Sequence, residues 1–170
     1  MLRRPARDTR GGTLDPHTGK GDEEGEAWFS VDISGETVAC TAPQRWTEGG
    51  KLNLEPALKM GDELGGHIVT GHVDAVGQVA ASTQEGASTR LTIAAPEAIA
   101  PYIAAKGSIT VDGVSLTVNS VEDQADGSVH FGLNIIPHTG EVTTLGQLVP
   151  GSHVNLEIDV LARYLQRMQS

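Results

Sequence analysis

Short runs of alternating apolar and polar residues dominate the chain from about residue 65 onward. They occur in HIVTGHVDAVGQVAAS, TRLTIAAP, SITVDG, VSLTVNSVED, GSVHFGLNII and HVNLEIDV, and glycine or polar clusters separate them. Alternation with a period of two predicts strands. The dipeptide Asp112-Gly113, between two such runs, is typical of a two-residue hairpin turn. About six short strands in one unit indicate a small all-β barrel or sandwich.

Two segments carry a helical pattern instead. In PEAIAPYIAAKG, the spacing of Ile99, Ile103 and Ala104 predicts a short helix that ends at Gly107. The last segment, residues 161–170, places four large side chains on one helical face: Leu161, Tyr164, Leu165 and Met168. An amphipathic terminal helix needs a partner surface, and an oligomer interface is one candidate.

The chain contains an internal repeat with an offset of 102 residues. Residues 29–58 align with residues 131–160 without a gap, and eight of the thirty pairs are identical. Unrelated sequences of ordinary composition would give about two identities. The nearly identical phrases KLNLE and HVNLE lie in this alignment and predict the same late strand in two copies of one unit.

The first copy lacks an equivalent of the strand-rich stretch that precedes the second copy. Residues 1–27 have little apolar alternation, and in the aligned register Asp15 and Pro16 replace Thr117 and Val118. Proline removes a ladder donor from a central strand. The expected organisation is an aberrant, disordered segment over 1–27, a partial unit over 28–64, a complete unit over 65–160 and a helix over 161–170.

Composition excludes several classes of protein. Twelve basic and 22 acidic residues give a net charge of -10, which disfavours binding to nucleic acid through phosphate neutralisation. No apolar run approaches the length of a membrane span, and the start lacks the apolar core of a signal peptide, so we expect a cytoplasmic protein. The single cysteine, Cys40, excludes an intrachain disulfide and a cysteine-rich metal site.

The candidate chemical groups support a ligand site more than a metal site. His67 and His72 lack a carboxylate or thiol at a supporting spacing for zinc, so we expect hydrogen-bonded histidines and no metal. Ser115 and Thr117 alternate and therefore share one face of a strand. They face either into a small barrel, as part of a polar ligand site, or outward as an ordinary polar face. The residues alone indicate a duplicated small β-barrel that binds a polar planar or polyol ligand.

Three longer segments resemble the α-chain type of riboflavin synthase. They are LNLEPALKMGDELGGHIVTGHVDAVGQV, KGSITVDGVSLTV and NIIPHTGEVTTLGQLVPGSHVNLEIDVLARYLQRM, in the order and spacing of that family. The resemblance covers residues 28–168. It implies two similar six-stranded Greek-key barrels, here with the first incomplete and with a short helix in the barrel. It also implies a C-terminal helix that holds a homotrimer together.

The resemblance also implies a transferase of riboflavin biosynthesis. In that reaction two molecules of 6,7-dimethyl-8-ribityllumazine exchange a four-carbon unit, which gives riboflavin and 5-amino-6-ribitylamino-uracil, with no metal or organic cofactor. Two similar pockets that face each other would hold the two identical substrates in register. The alternatives are a non-catalytic lumazine- or flavin-binding protein and an inactive truncated homologue.

Carried over by motif, the resemblance implies which residues form the site. His72 and Ser115 are the candidates for proton handling or polarisation. The substrate-binding candidates in the second copy are Gly71, His72, Val73, Lys106, Ser115, Leu116, Thr117, Asn134, Ile135, Ile136, Pro137, His138 and Thr139. In the first copy they are Asp32, Ile33, Ser34, Gly35, Glu36 and Thr37.

The first copy departs from the family pattern in two places. The family begins with an MFTGIV-like segment that borders the catalytic pocket, and no such segment occurs here. Its first barrel also carries a GVCLTV-like strand with a cysteine near the reacting centre, whereas this chain has Thr13 at that register. Cys40 is not a substitute, because the repeat aligns it with Val142. We therefore expect a truncated or frame-shifted start, which sequencing the upstream frames would test.

Overall fold

The computed structural model describes residues 4–5, 28–29 and 31–169. The expectation of disorder for residues 1–27 lies outside the described residues, apart from Arg4–Pro5. That dipeptide (β1) pairs antiparallel with Trp28–Phe29 (β2). The predicted domain boundaries stay a prediction.

Seven further strands form one antiparallel sheet. They are β3 (Ala75–Glu85), β4 (Ser88–Ala95), β5 (Ser108–Val111), β6 (Val114–Thr117), β7 (Ser120–Asp123), β8 (Val129–Ile135) and β9 (His153–Ile158). Their spatial order is β6-β5-β9-β3-β4-β8-β7. Strands β5 to β8 follow one another, and β9 returns to lie beside β5, which is the Greek-key arrangement. The all-β fold predicted from alternation is confirmed.

The two edge strands of this sheet, β6 and β7, are consecutive in the chain. Only Val118 and Asn119 separate them, and their amides point to opposite neighbours. Val118 N donates to Gly107 O at 2.9 Å, and Asn119 N donates to Gly132 O at 2.8 Å. Residues 114–123 therefore act as one bent strand that joins both edges of the curled sheet. Counted in this way, the unit has the six strands that the sequence predicts.

The hairpin predicted at Asp112-Gly113 is confirmed. Strands β5 and β6 pair directly across it, and Asp112 and Gly113 have φ angles of 49° and 82°. Positive φ at both central residues matches a type I′ turn, whose twist suits the flanking strands.

The barrel core consists of large aliphatic side chains and one aromatic ring. Its fully buried members include Phe131, Leu91, Ile93, Ile109, Leu133 and Leu156. They alternate with outward residues along each strand, as a barrel requires.

The short helix predicted before Gly107 is a 3₁₀ helix over Glu97–Tyr102 and ends earlier than expected. Pro101 lies inside it and has no N–H for an α-helical bond. Ile103 N donates to Ala100 O at 3.1 Å, three residues back, and closes the element. Ile99 and Ile103 are buried in the core as their spacing predicts, whereas Ala104 is exposed.

Two further short helices occur at equivalent positions of the repeat. Helix α1 (Gly35–Cys40) and helix α2 (Pro137–Val142) lie 102 residues apart at both ends. Each is followed by a 3₁₀ turn, over Pro43–Trp46 and Thr144–Gln147. The terminal helix α3 spans Val160–Gln169.

The strand predicted at Lys51–Leu58 is wrong, because no residue between 31 and 74 lies in a strand. Its equivalent β9 is a strand because β3 and β5 flank it and satisfy its backbone groups. No strand of the described residues pairs with residues 51–58. Without a strand on either side, the same phrase stays irregular.

Candidate functional site

Three polar side chains form a row across the outer face of the barrel. Ser115, Thr110 and Glu157 are direct cross-strand partners on β6, β5 and β9. The residues that alternate with them, such as Ile109, Leu116 and Leu156, belong to the core or pack against it. Of the two orientations that the sequence left open for Ser115 and Thr117, the structure therefore has the outward one.

His67 lies across this row and contacts two of its members. Its Nδ1 is 2.7 Å from Ser115 Oγ, and its Nε2 is 3.1 Å from Thr110 Oγ1. The backbone N of His67 also donates to Ser115 Oγ at 3.3 Å. A side chain at Gly66 would collide with Ser115 Oγ, so glycine is required for this close approach. His67 is thus hydrogen-bonded, as the sequence predicts.

The third member of the row, Glu157, holds the segment that carries His72. Glu157 is buried, and its Oε1 accepts from Thr70 N at 2.6 Å and from Thr70 Oγ1 at 2.8 Å. Thr70 Oγ1 in turn lies 2.9 Å from Nδ1 of His72, whose ring is exposed. The two histidines are therefore attached to opposite ends of one polar row.

Asp74 fixes the end of the same segment. Its backbone N donates to Leu156 O at 2.8 Å, and its Oδ2 accepts from Ile158 N at 2.9 Å. Its Oδ1 accepts from Arg163 of helix α3 at 2.6 Å. The ion pair is half exposed on the arginine side, so its energetic contribution is small, but it sets where α3 leaves the barrel.

Three other predicted segments meet where β6 passes β8. Lys106 N donates to Val118 O at 2.7 Å, one residue after Thr117. Asn119 N donates to Gly132 O on β8, and Asn134 lies on the same strand two residues after Gly132. Lys106, Thr117 and Asn134 are all exposed. The structure therefore gathers exposed polar groups from separate parts of the chain at one end of the barrel.

The other predicted residues of the second copy differ in their exposure. Ile135 is only 3% exposed and lies in the core, and Leu116 packs against the core. Val73 and Thr139 are half-buried. The exposed members are Gly71, His72, Ile136, Pro137 and His138.

The predicted residues of the first copy lead into α1, as residues 134–139 lead into α2. Asp32, Ser34, Gly35, Glu36 and Thr37 are exposed, and Ile33 is half-buried. Each helix has the equivalent hydrogen bond: Thr41 Oγ1 donates to Thr37 O at 2.7 Å, and Thr143 Oγ1 donates to Thr139 O at 2.6 Å. The repeated threonines therefore have the same local function in both copies.

The repeated asparagines connect one copy to the other. Asn155 Oδ1 accepts from Ala42 N of the first copy at 2.7 Å, and Asn53 Oδ1 accepts from Thr144 N of the second copy at 2.8 Å. Ala42 and Thr144 are themselves repeat equivalents. The two bonds are thus exchanged about a pseudo-twofold relation between the copies.

Repeat-equivalent residues also line a cleft of about 350 Å³ between the copies. The equivalent pairs in its wall are Arg45 with Gln147, Gly50 with Ser152, and Lys51 with His153. Arg45 also forms an ion pair with Asp112 of the β5–β6 turn. The pseudo-twofold relation therefore extends to these three pairs in the cleft wall.

The described residues contain neither a group suited to bind a metal ion nor a helix suited to span a membrane. Over residues 31–169, no group of three or more histidine, cysteine, aspartate or glutamate side chains is placed to hold a metal ion. Within the same described part of the chain, no helix is long and apolar enough to cross a membrane.

Sequence reasoning did not find Thr70, Thr110 and Glu157, which hold the two histidines. Thr70 lies two residues before His72, but the contacts of Thr110 with His67 and of Glu157 with Thr70 span 43 and 87 residues, so local spacing does not reveal them. One signal was present, because Glu157 is among the identical pairs of the repeat.

The barrel and its site define a class of protein. The lumazine-binding domain family matches residues 70–159. Crystal structures of LumP complexed with 6,7-dimethyl-8-(1'-D-ribityl) lumazine and with riboflavin are similar to this chain, with TM-scores of 0.61 and 0.62. They are 24% and 25% identical to it in sequence, and the similarity covers 81% and 80% of this chain and 70% of theirs.

Curated relatives narrow the class to one family. Riboflavin synthase of Brucella abortus (strain 2308) is 46% identical over 83% of this chain and 67% of its own length. That of Photobacterium phosphoreum is 44% identical over 82% of this chain and 62% of its own length. That of Mycobacterium bovis is 43% identical over 82% and 69%. The chain belongs to the riboflavin synthase family and spans about two thirds of the length of these relatives.

Proposed function

We propose that this chain acts as a riboflavin synthase. The observation that carries the proposal is its identity of 43–46% with riboflavin synthases over more than four fifths of its length. The reaction would convert two molecules of 6,7-dimethyl-8-ribityllumazine into riboflavin and 5-amino-6-ribitylamino-uracil. One substrate gives up a four-carbon unit and the other accepts it, so no external oxidant or reductant is needed.

The chemistry of the outer barrel face supports this substrate. A lumazine with a ribityl chain presents ring carbonyls, ring nitrogens and several hydroxyls. The exposed groups of Lys106, Thr117 and Asn134 offer hydrogen bonds of both kinds to such a ligand. Ser115 and His72 are our candidates for polarising the ring and for moving the proton of the acidic C7 methyl group.

The reaction needs two substrates side by side, and the repeat supplies two similar segments for them. We propose that residues 134–139 border one lumazine and residues 32–37 of a neighbouring subunit border the other. Holding both molecules in register would supply much of the rate.

Helix α3 supports the proposed homotrimer. Leu161, Tyr164, Leu165 and Met168 are all exposed on it. A helix with such an apolar face is stabilised by packing against other chains. We further propose that the protein works in the cytoplasm.

A turnover assay tests the proposal directly. Purified chain is incubated with 6,7-dimethyl-8-ribityllumazine, and riboflavin formation is followed by its fluorescence. We expect riboflavin and the uracil product in equal amounts. Thermal stabilisation by the lumazine without turnover would identify a binding protein instead. The absence of both stabilisation and turnover would reject both functions.

Ser115→Ala tests whether β6 lines the ligand. We expect lumazine binding to weaken by roughly 1 to 3 kcal/mol, because a hydroxyl that bonds the ligand and orients His67 is lost. Ser82→Ala, on the same barrel but at the far end of β3, is the matched control and should bind normally. Unchanged affinity in Ser115→Ala, measured by calorimetry, would place the ligand elsewhere.

A further inference from the structure

The hydrogen bonds around Thr70 determine which nitrogen of His72 carries a proton. Thr70 has one hydroxyl proton, and Oε1 of Glu157 lies 2.8 Å from its oxygen. An ionised carboxylate can only accept hydrogen bonds. The hydroxyl therefore donates to Glu157, and the same carboxylate oxygen also accepts the Thr70 amide at 2.6 Å. Two bonds to one buried oxygen leave the threonine little freedom to rotate.

The consequence passes to His72. Its Nδ1 lies 2.9 Å from Thr70 Oγ1, whose proton is already directed at Glu157. Only lone pairs remain on that oxygen, so Nδ1 of His72 must be the donor. In the neutral imidazole the other nitrogen, Nε2, then carries the free lone pair.

We propose that Thr70, oriented by Glu157, is a positioning residue that fixes His72 as its Nδ1–H tautomer. The free Nε2 is thereby available to accept a proton, and in the proposed synthase reaction that proton would come from the C7 methyl group. The role of Nε2 as acceptor of the C7 methyl proton rests on the proposed function, whereas the tautomer of His72 does not. Fixing a ring in one tautomer through the nitrogen that does not react is a general device for histidine bases.

His67 is held differently from His72. Both of its ring nitrogens lie within 3.1 Å of hydroxyl groups, those of Ser115 and Thr110, and Thr110 is buried. His72 is exposed, and its Nδ1 bonds Thr70. The two histidines therefore have different roles. His67 connects Ser115 and Thr110 through hydrogen bonds, and His72 presents its Nε2 lone pair to a ligand.

The test is a nitrogen-15 spectrum of the imidazole ring in the whole chain, at about pH 8, where an ordinary histidine is neutral. Two-bond proton–nitrogen correlations distinguish a protonated Nδ1 from a protonated Nε2, and His72→Gln assigns the signals. We expect the Nδ1–H pattern in the unmodified protein. An Nε2–H pattern there would overturn the proposal at once, whatever any variant does.

Variants at Thr70 test the cause. Thr70→Val keeps the shape but removes the hydroxyl, and we expect His72 to shift to the Nε2–H form. Thr70→Ser restores the hydroxyl and should restore the Nδ1–H form. Thr83→Val, an exposed threonine on β3, is the matched control and should leave His72 unchanged. Persistence of the Nδ1–H form in Thr70→Val, or its loss in Thr70→Ser, would overturn the assignment.

Turnover gives a second and separate readout. General bases contribute roughly 10²- to 10⁴-fold to a rate, so Thr70→Val should lower kcat by about tenfold or more, with KM little changed and with rescue by serine. If the protein proves to be inactive, the spectra still decide the tautomer. If it is active but kcat is unaffected in Thr70→Val despite the changed tautomer, the proposed role of Nε2 is wrong.

Discussion

The two copies of the repeat have similar sequences but different environments. Leu156 and Val154 on β9 are fully buried, whereas their equivalents Leu54 and Leu52 are 40% and 38% exposed. Leu133 on β8 is also fully buried, and its equivalent Val31 is 59% exposed. Equivalent apolar positions thus lie in the core of one copy and are partly exposed in the other. Burial depends on the strands that surround a phrase, and not on the phrase itself.

The short helices show the opposite behaviour. Helix α1 forms in the first copy, and helix α2 forms at the equivalent position of the second. Each contains the same bond from a threonine hydroxyl to a carbonyl four residues earlier. Such contacts lie within one turn and need no distant partner. The comparison therefore separates structure that a segment specifies locally from structure that it adopts only beside other strands.

The largest expected effect on stability concerns a leucine that is buried in the second copy and partly exposed in the first. Leu156→Ala should lower the free energy of unfolding by about 2 to 5 kcal/mol, because it leaves a cavity among buried side chains. The matched variant Leu54→Ala should cost less than about 1 kcal/mol, because much of that side chain stays in water. Urea denaturation of both variants measures the difference. Equal costs would mean that the first copy buries Leu54 as deeply as the second copy buries Leu156.

A smaller effect is expected at the asparagines that join the copies. Asn155→Ala leaves the amide of the buried residue Ala42 without its acceptor, and Asn53→Ala does the same to Thr144. Each variant should lose roughly 1 to 3 kcal/mol of stability. The exposed residue Asn119 offers the control Asn119→Ala, which should stay within about 0.5 kcal/mol of the parent. A negligible cost for both Asn53→Ala and Asn155→Ala would show that the exchanged bonds do not hold the copies together.

The smallest effect concerns the charge pair between the copies. Burial raises the pKa of Asp112 above its ordinary value of 3.8, although the Arg45 guanidinium and the Asn155 amide oppose this. The folded state therefore binds the proton more tightly than the unfolded state does. The stabilisation from this group is complete below pH 3.8 and is lost as pH rises through the folded pKa. Asp112→Asn removes the titration and still fits the positive φ of the turn.

We expect the stability of the parent relative to Asp112→Asn to fall as pH rises, because the folded state loses its more tightly bound proton. Urea unfolding of both proteins between pH 3 and 8 checks this. Asp126→Asn is a control of opposite sign, because hydrogen bonds from Ser128 lower the pKa of Asp126. Relative to that variant, the parent should gain stability as pH rises. A difference for Asp112→Asn that does not vary with pH would contradict the effect of burial.

The sequence predicts those parts of the fold that depend on local pattern. Alternation identifies the strands of the second unit, and Asp112-Gly113 identifies the hairpin between β5 and β6. The helix before Gly107 was predicted too long, because Pro101 limits the element to 3₁₀ geometry. The strand at Lys51–Leu58 was predicted wrongly, because a strand also needs neighbours and periodicity does not report whether they exist.

For the site, the sequence identifies residue types but not their connections. The alternation of Ser115 and Thr117 fixes a shared face but leaves open whether that face points into the barrel or outward. The connection of Glu157 to Thr70 spans 87 residues and follows only from barrel closure. The roles of His67 and His72 therefore could not be separated before the strands were placed in order.

The bend at Val118 and Asn119 has a further consequence for the behaviour of the protein in solution. Because this single segment serves both ends of the sheet, the terminal strands β6 and β7 have outer edges of only four residues each. Long open edges allow other chains to add strands and start aggregation, whereas short ones do so poorly. The bend thus keeps the two terminal edges of the sheet too short to pair readily with other chains. The proposed association with other copies would use side-chain surfaces such as the apolar face of α3.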